Sequence, residues 1–260
     1  MVITEMSDYK EIEKERYNSR AKASLSKLNQ KQLLSWGYQS LPPYLQAPYK
    51  FYHETIASKT FPGAKILDIC CGDGLHSYTG KLYGGDVTVT DIAECNVMLT
   101  IEKGRLLGFE IEGIVADMDD LCVGNESFDI ATCAGSMSYL ELSTFVPKVK
   151  LMLKSGGYFI AVDSFNHNPI YRVNRYIHFL RGNRTSRVNQ NIPSEETIAH
   201  IKTYFDEVEV KYFGVFTFAA LFLKPFFSPD KLASVLNRLD KTFSLLKKYS
   251  FKIVIIAKNK

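Results

Sequence analysis

One stretch, Lys65–Asp91 with the sequence KILDICCGDGLHSYTGKLYGGDVTVTD, constrains this chain more than any other. It reads as strand, tight glycine turn, helix, strand and acid. Lys65–Cys70 is a short apolar run of the kind that forms a buried parallel strand. Gly72 and Gly74 follow at once, where a turn needs a backbone without a Cβ and a ligand can come close. Leu75–Leu82 has room for the helix. Val87–Thr90 alternates β-branched residues for a second strand, and Asp91 ends it. The unit is half of a doubly wound nucleotide-binding fold, with the acid placed for ribose hydroxyls.

The turn also bears on which nucleotide fits. A dinucleotide site requires G-x-G-x-x-G, with the pyrophosphate on the helix N-terminus. Here the third glycine position is Ser77, Asp68 precedes the turn and Asp73 sits inside it. Two carboxylates repel a pyrophosphate and suit a ligand carrying an ammonium and a sulfonium, as S-adenosylmethionine does. On these residues the chain resembles the class I S-adenosylmethionine-dependent methyltransferases, whose first motif has the form D-x-G-x-G-x-G. Cys70 stands where the first glycine is usual. The competing reading is a glycine turn in some other α/β protein.

The resemblance implies a single domain over residues 1–260, an α/β fold with a doubly wound seven-stranded sheet of the Rossmann-like methyltransferase type. Its parts are an N-terminal helical lid (1–60), a cofactor-binding core (61–163), an inserted substrate cap after the fifth strand (164–204), and closing strands with a helix (205–260). In such relatives an aromatic and an arginine from the first helix reach the methionine end of the cofactor. Tyr17 and Arg20, in ERYNSRAKA, match by type and position, and a guanidinium pairs bidentately with a carboxylate. An acid after the third strand accepts from the adenine amino group. Asp117 holds that place, with Met118 stacking beside the ring. Asp68, Cys70, Gly72, Gly74, Asp91, Ile92 and Ala134 complete the implied cofactor set. Ala134–Tyr139 is the loop over the sulfonium. A solvated helix face is the alternative for Tyr17 and Arg20.

The remaining elements follow from pattern. Ser7–Leu34 is polar and helical, with Ser7 or Asp8 as cap. Gly37–Pro48 is a connector, and Tyr49–Lys59 a helix. Ala93–Gly104 is a helix, Glu110–Ala116 and Ile130–Cys133 are strands, and Leu142–Leu153 is a helix stopped by Lys154-Ser155-Gly156-Gly157. Tyr158–Asp163 is the fifth strand, consistent with right-handed strand–helix winding. Glu195–Tyr204 is a helix. Glu207–Gly214 and Phe251–Ala257 are the sixth and seventh strands, and the resemblance places the last antiparallel between the fifth and sixth.

Ser164–Pro193 departs from an ordinary nucleotide-binding core. Arg172, Arg175, Arg181, Arg184 and Arg187 fall there with no acid among them, interleaved with Tyr171, Tyr176, His178 and Phe179. Helical spacing puts Arg172, Arg175 and Phe179 on one face. Such a field favours an anionic acceptor, such as a phosphorylated or nucleotide-linked sugar or a carboxylate, with Arg172, Arg175 and His178 as its ligands. A solvated basic face is the plain alternative. Single-stranded nucleic acid would use the same residue mix, but a net charge of +4 argues against it. Phe216–Phe227 is intensely apolar and suits a substrate lid, a homodimer contact or a lipid surface. Lys231–Lys248 is an amphipathic helix, either packed on the core or lying on a membrane.

Methyl transfer is an in-line displacement, so alignment and dryness are the protein's main contribution. The candidate bases are His167, just after the fifth strand, and Asp163 at its end. Tyr139 is either catalytic or a core aromatic. The histidines His53, His76, His167, His178 and His200 are scattered and suggest no metal cluster. The five cysteines, Cys70, Cys71, Cys95, Cys122 and Cys133, lack C-x-x-C spacing and read as free thiols of a reducing cytoplasm. Met1–Arg20 lacks the apolar core of a signal peptide, and no apolar run reaches the ~20 residues of a membrane span. The leading expectation is methyl transfer to oxygen or nitrogen of a small anionic metabolite. A lipid- or quinone-type methyltransferase and a non-catalytic methyltransferase-like binding protein are the alternatives.

Overall fold

The apolar runs become the strands of one sheet in the computed structural model, which describes residues 2–27, 35–180 and 186–260; the side chains of 2–8, 178–180 and 186 lie outside that description. Among the described residues the strands are β1 (Lys65–Ile69), β2 (Asp86–Asp91), β3 (Glu112–Val115), β4 (Phe128–Ala134), β5 (Leu153–Ser164), β6 (Glu207–Phe213) and β7 (Lys252–Lys258), in the order β3-β2-β1-β4-β5-β7-β6. β1 to β5 pair in parallel, and β7 runs antiparallel to both β5 and β6. The order reverses between β1 and β4, which opens a crevice at their carboxyl ends.

Strand side chains alternate between faces. Leu67 and Ile69 of β1 join Ala131 and Cys133 of β4 on one face, while Ile66 and Ile130 join Val87 and Val89 of β2 on the other. Helices cover both faces, as parallel sheets require. On the first face, Phe159 sits against Phe145 of α5 (Leu142–Met152) and Phe205 beyond α8 (Glu195–Tyr204). Each such fully buried aromatic contributes about 1.5–3 kcal/mol. On the second face lie Tyr52 and Ile56 of α2 (Pro43–Lys59), with Val97 of α4 (Glu94–Leu106). α8 starts with a capping box, Ser194 with Thr197, which satisfies otherwise orphaned amides.

Several boundaries differ from the sequence expectations for local reasons. α1 is Val2–Leu25, beginning before Ser7 and ending before Leu34. α3 is only Thr79–Leu82. The residues expected to begin it are consumed by turns, with Gly74 N–H donating to Cys71 O and Ser77 N–H to Gly74 O. α5 stops as expected, but β5 begins at once at Leu153. Asn259 pulls this stretch into the sheet: its side chain donates to Leu153 O, its carbonyl accepts from Gly156 N–H, and its N–H donates to Gly157 O. The cap holds α6 (Pro169–Leu180) and α7 (Ser186–Gln190); Arg181 and Arg184 lie outside the described residues. α9 is Ala220–Leu223. α10 is Pro229–Thr242, capped by Ser228, and gives way to a 3-10 turn at Ser244–Tyr249 instead of running to Lys248. It buries Leu232 and Leu236 against Tyr44, Leu223 and Phe227, so one face of it packs on the core.

All five cysteines are free. Among the described residues no cluster of His, Cys, Asp or Glu could hold a metal, and no helix is long and apolar enough to cross a membrane.

Candidate active site

The crevice at the ends of β1, β2 and β4 holds two adjoining cavities, of about 720 and 1020 Å³, that share Tyr17, Cys70, Gly72, Asn96 and Ser136. Its floor is the turn after β1. Cys70 adopts φ 56°, a left-handed conformation that favours glycine. Gly72 and Gly135 have φ of 55° and 74°, and a Cβ on either would project into open space. Gly74 is different. A Cβ there would meet the Tyr78 hydroxyl at 2.5 Å, so this glycine serves packing, and it lines neither cavity.

The acids of the crevice are held by the protein's own donors. Asp91 accepts from Gly72 N–H at 3.0 Å and from Ala93 N–H at 2.8 Å, one on each oxygen. The Asn96 side chain donates to the same carboxylate. Burial raises its pKa, and the two amides partly offset this. Asp68 is buried and accepts from Ser77 Oγ (2.6 Å) and Thr132 Oγ1 (2.8 Å); burial pushes its pKa up to about 6. Lys103, also buried, donates to Asp73 O at 2.7 Å and ties the turn to α4.

α1 closes the crevice from above. The Tyr17 and Tyr139 hydroxyls are 2.9 Å apart, and the Arg20 guanidinium lies 5.8 Å from the Tyr17 ring. Asn18 Oδ1 accepts from Cys95 N–H, which anchors α1 on α4. Lys10 Nζ donates to Asp117 and to Asp119 at 2.6 Å. Burial alone would lower the Lys10 pKa, but these carboxylates outweigh it and raise it. Farther along, Arg187 of α7 lies over the Tyr9 ring and pairs with Glu141 at 2.7 Å, so lid and cap meet.

The structure thus brings Tyr17, Arg20, Asp68, Cys70, Gly72, Asp91, Ile92, Asp117, Met118, Ala134 and Tyr139 together around one crevice. Asp163 lies just beneath, buried, accepting from Met137 N–H (2.8 Å) and Ser164 N–H, which fixes the loop after β4. His167 is elsewhere. Its Nε2 accepts from Glu195 N–H at 3.3 Å at the start of α8, and it lines neither cavity. Arg172 and Arg175 do not act as one face: Arg172 is exposed, whereas Arg175 is buried and donates to Phe165 O and Asn166 Oδ1. The His178 side chain lies outside the described residues.

Sequence reasoning missed Tyr9, Lys10 and Glu13 of α1, Asn96, and above all His76. His76 lines the larger cavity, stacks on Tyr49 at 4.7 Å and 6°, and has Nδ1 2.9 Å from His53 Nε2. Burial lowers its pKa to about 3, with the charges of His53 and Lys252 adding to the effect, and burial lowers His53 to about 4. Both rings are neutral near pH 7. Its place inside the glycine-turn motif was the available signal.

Residues 66–157 match the family described as "Methyltransferase domain". A phthiotriol/phenolphthiotriol dimycocerosates methyltransferase of Mycobacterium leprae is 26% identical over 150 residues, 53% of this chain and 55% of that protein. A ubiquinone biosynthesis O-methyltransferase of Ruegeria is 29% identical over 110 residues, 42% of this chain and 44% of that protein. The chain therefore spans about half the length of such curated relatives. A geranyl diphosphate C-methyltransferase of Streptomyces coelicolor, solved with Mg2+, geranyl-S-thiolodiphosphate and S-adenosyl-L-homocysteine, superposes with a TM-score of 0.59 at 16% identity, over 83% of this chain and 78% of that one. The sheet is the Rossmann-like methyltransferase fold, and residues 66–157 match the methyltransferase-domain family.

Proposed function

We propose that this chain is an S-adenosylmethionine-dependent methyltransferase that acts on oxygen or nitrogen of a small acceptor bearing an anionic group. The observation that carries the reading is the crevice floor: Gly72 and Gly135, both at positive φ with open space before them, beside an Asp91 whose two oxygens are each aligned by a backbone amide. A cradle of that shape fits a nucleoside.

Asp91 would hold the ribose hydroxyls, Asp117 and Met118 the adenine, Asp68 the ammonium and Arg20 the carboxylate. When bound, the cofactor supplies an electrophilic methyl group on its sulfonium. The chain's own residues do the rest. The Tyr17–Tyr139 hydroxyl pair ties α1 to the loop after β4 beside the crevice; a bound cofactor and acceptor would displace water there, which strengthens the electrostatics inside. Asp163 acts through Met137, holding the loop Ala134–Tyr139 in place. His76, neutral and braced by His53, offers a ring nitrogen to orient an acceptor hydroxyl or amine. Its position supports that role better than the position of His167 does. The test is calorimetry with S-adenosylhomocysteine, followed by methyl release against a panel of acceptors. Micromolar product binding with turnover supports the reading, and binding without turnover of any acceptor favours a binding protein instead. Tight NAD binding with no affinity for S-adenosylhomocysteine overturns it.

A second reading has a lipid- or quinone-type acceptor, drawn from a membrane surface. Leu221, Phe222 and Phe226 are 72%, 72% and 78% exposed, with Lys224 and Lys231 nearby in the chain, and the relatives named for lipid and quinone pathways point the same way. Co-sedimentation with anionic vesicles at low salt tests it: a protein that stays in the supernatant counts against this acceptor class.

A further inference from the structure

A chain of three side chains runs behind the larger cavity of the crevice. Thr79 of α3 and His53 of α2 are buried. Thr79 Oγ1 is hydrogen-bonded to His53 Nδ1, and His53 Nε2 lies 2.9 Å from His76 Nδ1. His76 lines the cavity with Gly135 and Ser136 of the loop after β4, whereas His53 does not. His76 Nδ1 is turned to His53, and its Nε2 has no hydrogen-bond partner among the described residues, so Nε2 is the nitrogen left for a ligand. The ring is held by the stacked Tyr49. Tyr49 itself lines, with Arg175 and Lys252, a separate cavity of about 790 Å³ between α2, α6 and the start of β7. Burial and the Lys252 charge keep His76 neutral, and burial does the same for His53.

Proton accounting gives each bond in the chain a direction. Among the described residues the Thr79 hydroxyl has His53 Nδ1 as its one hydrogen-bond partner. A buried hydroxyl hydrogen without an acceptor is disfavoured, so Thr79 donates. His53 Nδ1 is then the bare nitrogen of a neutral ring, and its Nε2 carries the hydrogen. That Nε2–H donates to His76 Nδ1, so His76 in turn carries its hydrogen on Nε2. The nitrogen left for a ligand is a donor, with no lone pair to take a proton.

This restricts the acceptors that can use it. A carboxylate or phenolate oxygen has lone pairs to spare, so one accepts from Nε2–H while another attacks. A neutral amine has a single lone pair, and an N–H directed at it withdraws the nucleophile. An alkanol needs a base, and neither imidazole presents one to the cavity. We infer that His76 binds, through Nε2–H, an acceptor oxygen that is already anionic, a carboxylate or an acidic phenol, and that His53 and Thr79 are positioning residues that fix this tautomer. That oxygen forms its bond to the methyl carbon as the carbon–sulfur bond breaks with its electron pair left on sulfur. The negative charge of the oxygen and the positive charge of the sulfonium cancel, and no proton moves. This narrows the function proposed above to oxygen, and it rests on the crevice being the cofactor site.

The tautomer is read by NMR on protein labelled with [15N]histidine and saturated with S-adenosylhomocysteine, with His76→Gln used to assign the His76 signals. Hydrogen on Nε2 and a bare Nδ1 are expected; hydrogen on Nδ1 overturns the inference. Methyl release is then measured with octanoate, 4-nitrophenol, octanol and octylamine at pH 8. Turnover of octanoate or 4-nitrophenol without octanol or octylamine supports the acceptor class. Preference for octanol or octylamine overturns it, as does turnover of none of the four by protein that binds S-adenosylhomocysteine. With the acidic acceptor, His53→Leu lowers kcat/KM at least tenfold and Thr79→Val at least threefold. His53→Gln, whose amide N–H replaces Nε2–H, stays within threefold of wild type, and S-adenosylhomocysteine affinity stays within twofold throughout. Equal losses in His53→Leu and His53→Gln overturn the positioning role. A wild type that does not bind S-adenosylhomocysteine overturns the cofactor reading instead, and the acceptor assignment falls with it.

Discussion

The two spaces on either side of the His76–Tyr49 stack are built by opposite means. In the crevice proposed for the cofactor, Asp91 is engaged by three donors from the protein and Asp68 by two before any ligand arrives. Across the stack, Lys252 lies beside the Tyr49 and Phe251 rings, and Arg175 donates to Phe165 O and Asn166 Oδ1. Donors already in place hold these carboxylates in one geometry before a ligand arrives, which suits one invariant ligand. Across the stack the cations are set among ring faces and carbonyl oxygens instead.

The sharpest way to break this contrast is Asp91→Ala. It strips two amides of their acceptor, at about 1–3 kcal/mol each where water cannot replace it. S-adenosylhomocysteine affinity should fall about 100-fold by calorimetry, and a loss under threefold would mean that the crevice is not preorganised in this way.

Asp68 gives the next largest effect, through pH. Its folded pKa of about 6 lies above the ordinary 3.8. Below about pH 4 the group is protonated in both states and its contribution to stability is fully present. As the pH rises through 4 to 6 the unfolded chain loses the proton first, and stability falls by about 3 kcal/mol. Urea denaturation of wild type against Asp68→Asn should show a difference that changes only across that window and stays constant above it. A pH-independent difference would mean that Asp68 is ionised at little cost.

Cys70→Gly sharpens the comparison within the crevice floor. Relief of the left-handed strain, about 1–2 kcal/mol, is offset by the roughly 0.5–1 kcal/mol of extra chain entropy that glycine loses on folding. A net gain between about 0 and 1.5 kcal/mol is expected in urea denaturation, and a destabilised variant would show that the thiol packs better than its backbone suggests. The smallest effect belongs to Arg172→Ala. Its side chain is exposed, so the acceptor KM should move less than twofold, and a tenfold rise would bring the cap surface back into substrate binding.

The cofactor half was legible because its residues are local. Asp68 to Gly74 and Asp91 sit at strand ends fixed by a short motif, and the parallel strands announce themselves as apolar runs. The cavity across the stack was not, because Tyr49, Arg175 and Lys252 come from three distant elements. The arginine count of the cap suggested a shared face, but helical spacing alone did not reveal that Arg175 turns inward to Phe165 O. His167 looked right by its place after β5 and was claimed by the backbone of α8. His76, inside the best-read motif, passed unnoticed because the turn there was expected to be helix.

β7 follows β6 in the chain yet lies between β5 and β6. A ribosome making this protein therefore releases β5 with its Tyr158–Ser164 edge bare until Lys252–Lys258 emerges. Over that interval the nascent chain carries an open apolar border of the sort that recruits chaperones or stray strands. The strand that seals it also delivers Lys252, so the wall beside Tyr49 comes into being together with the finished sheet.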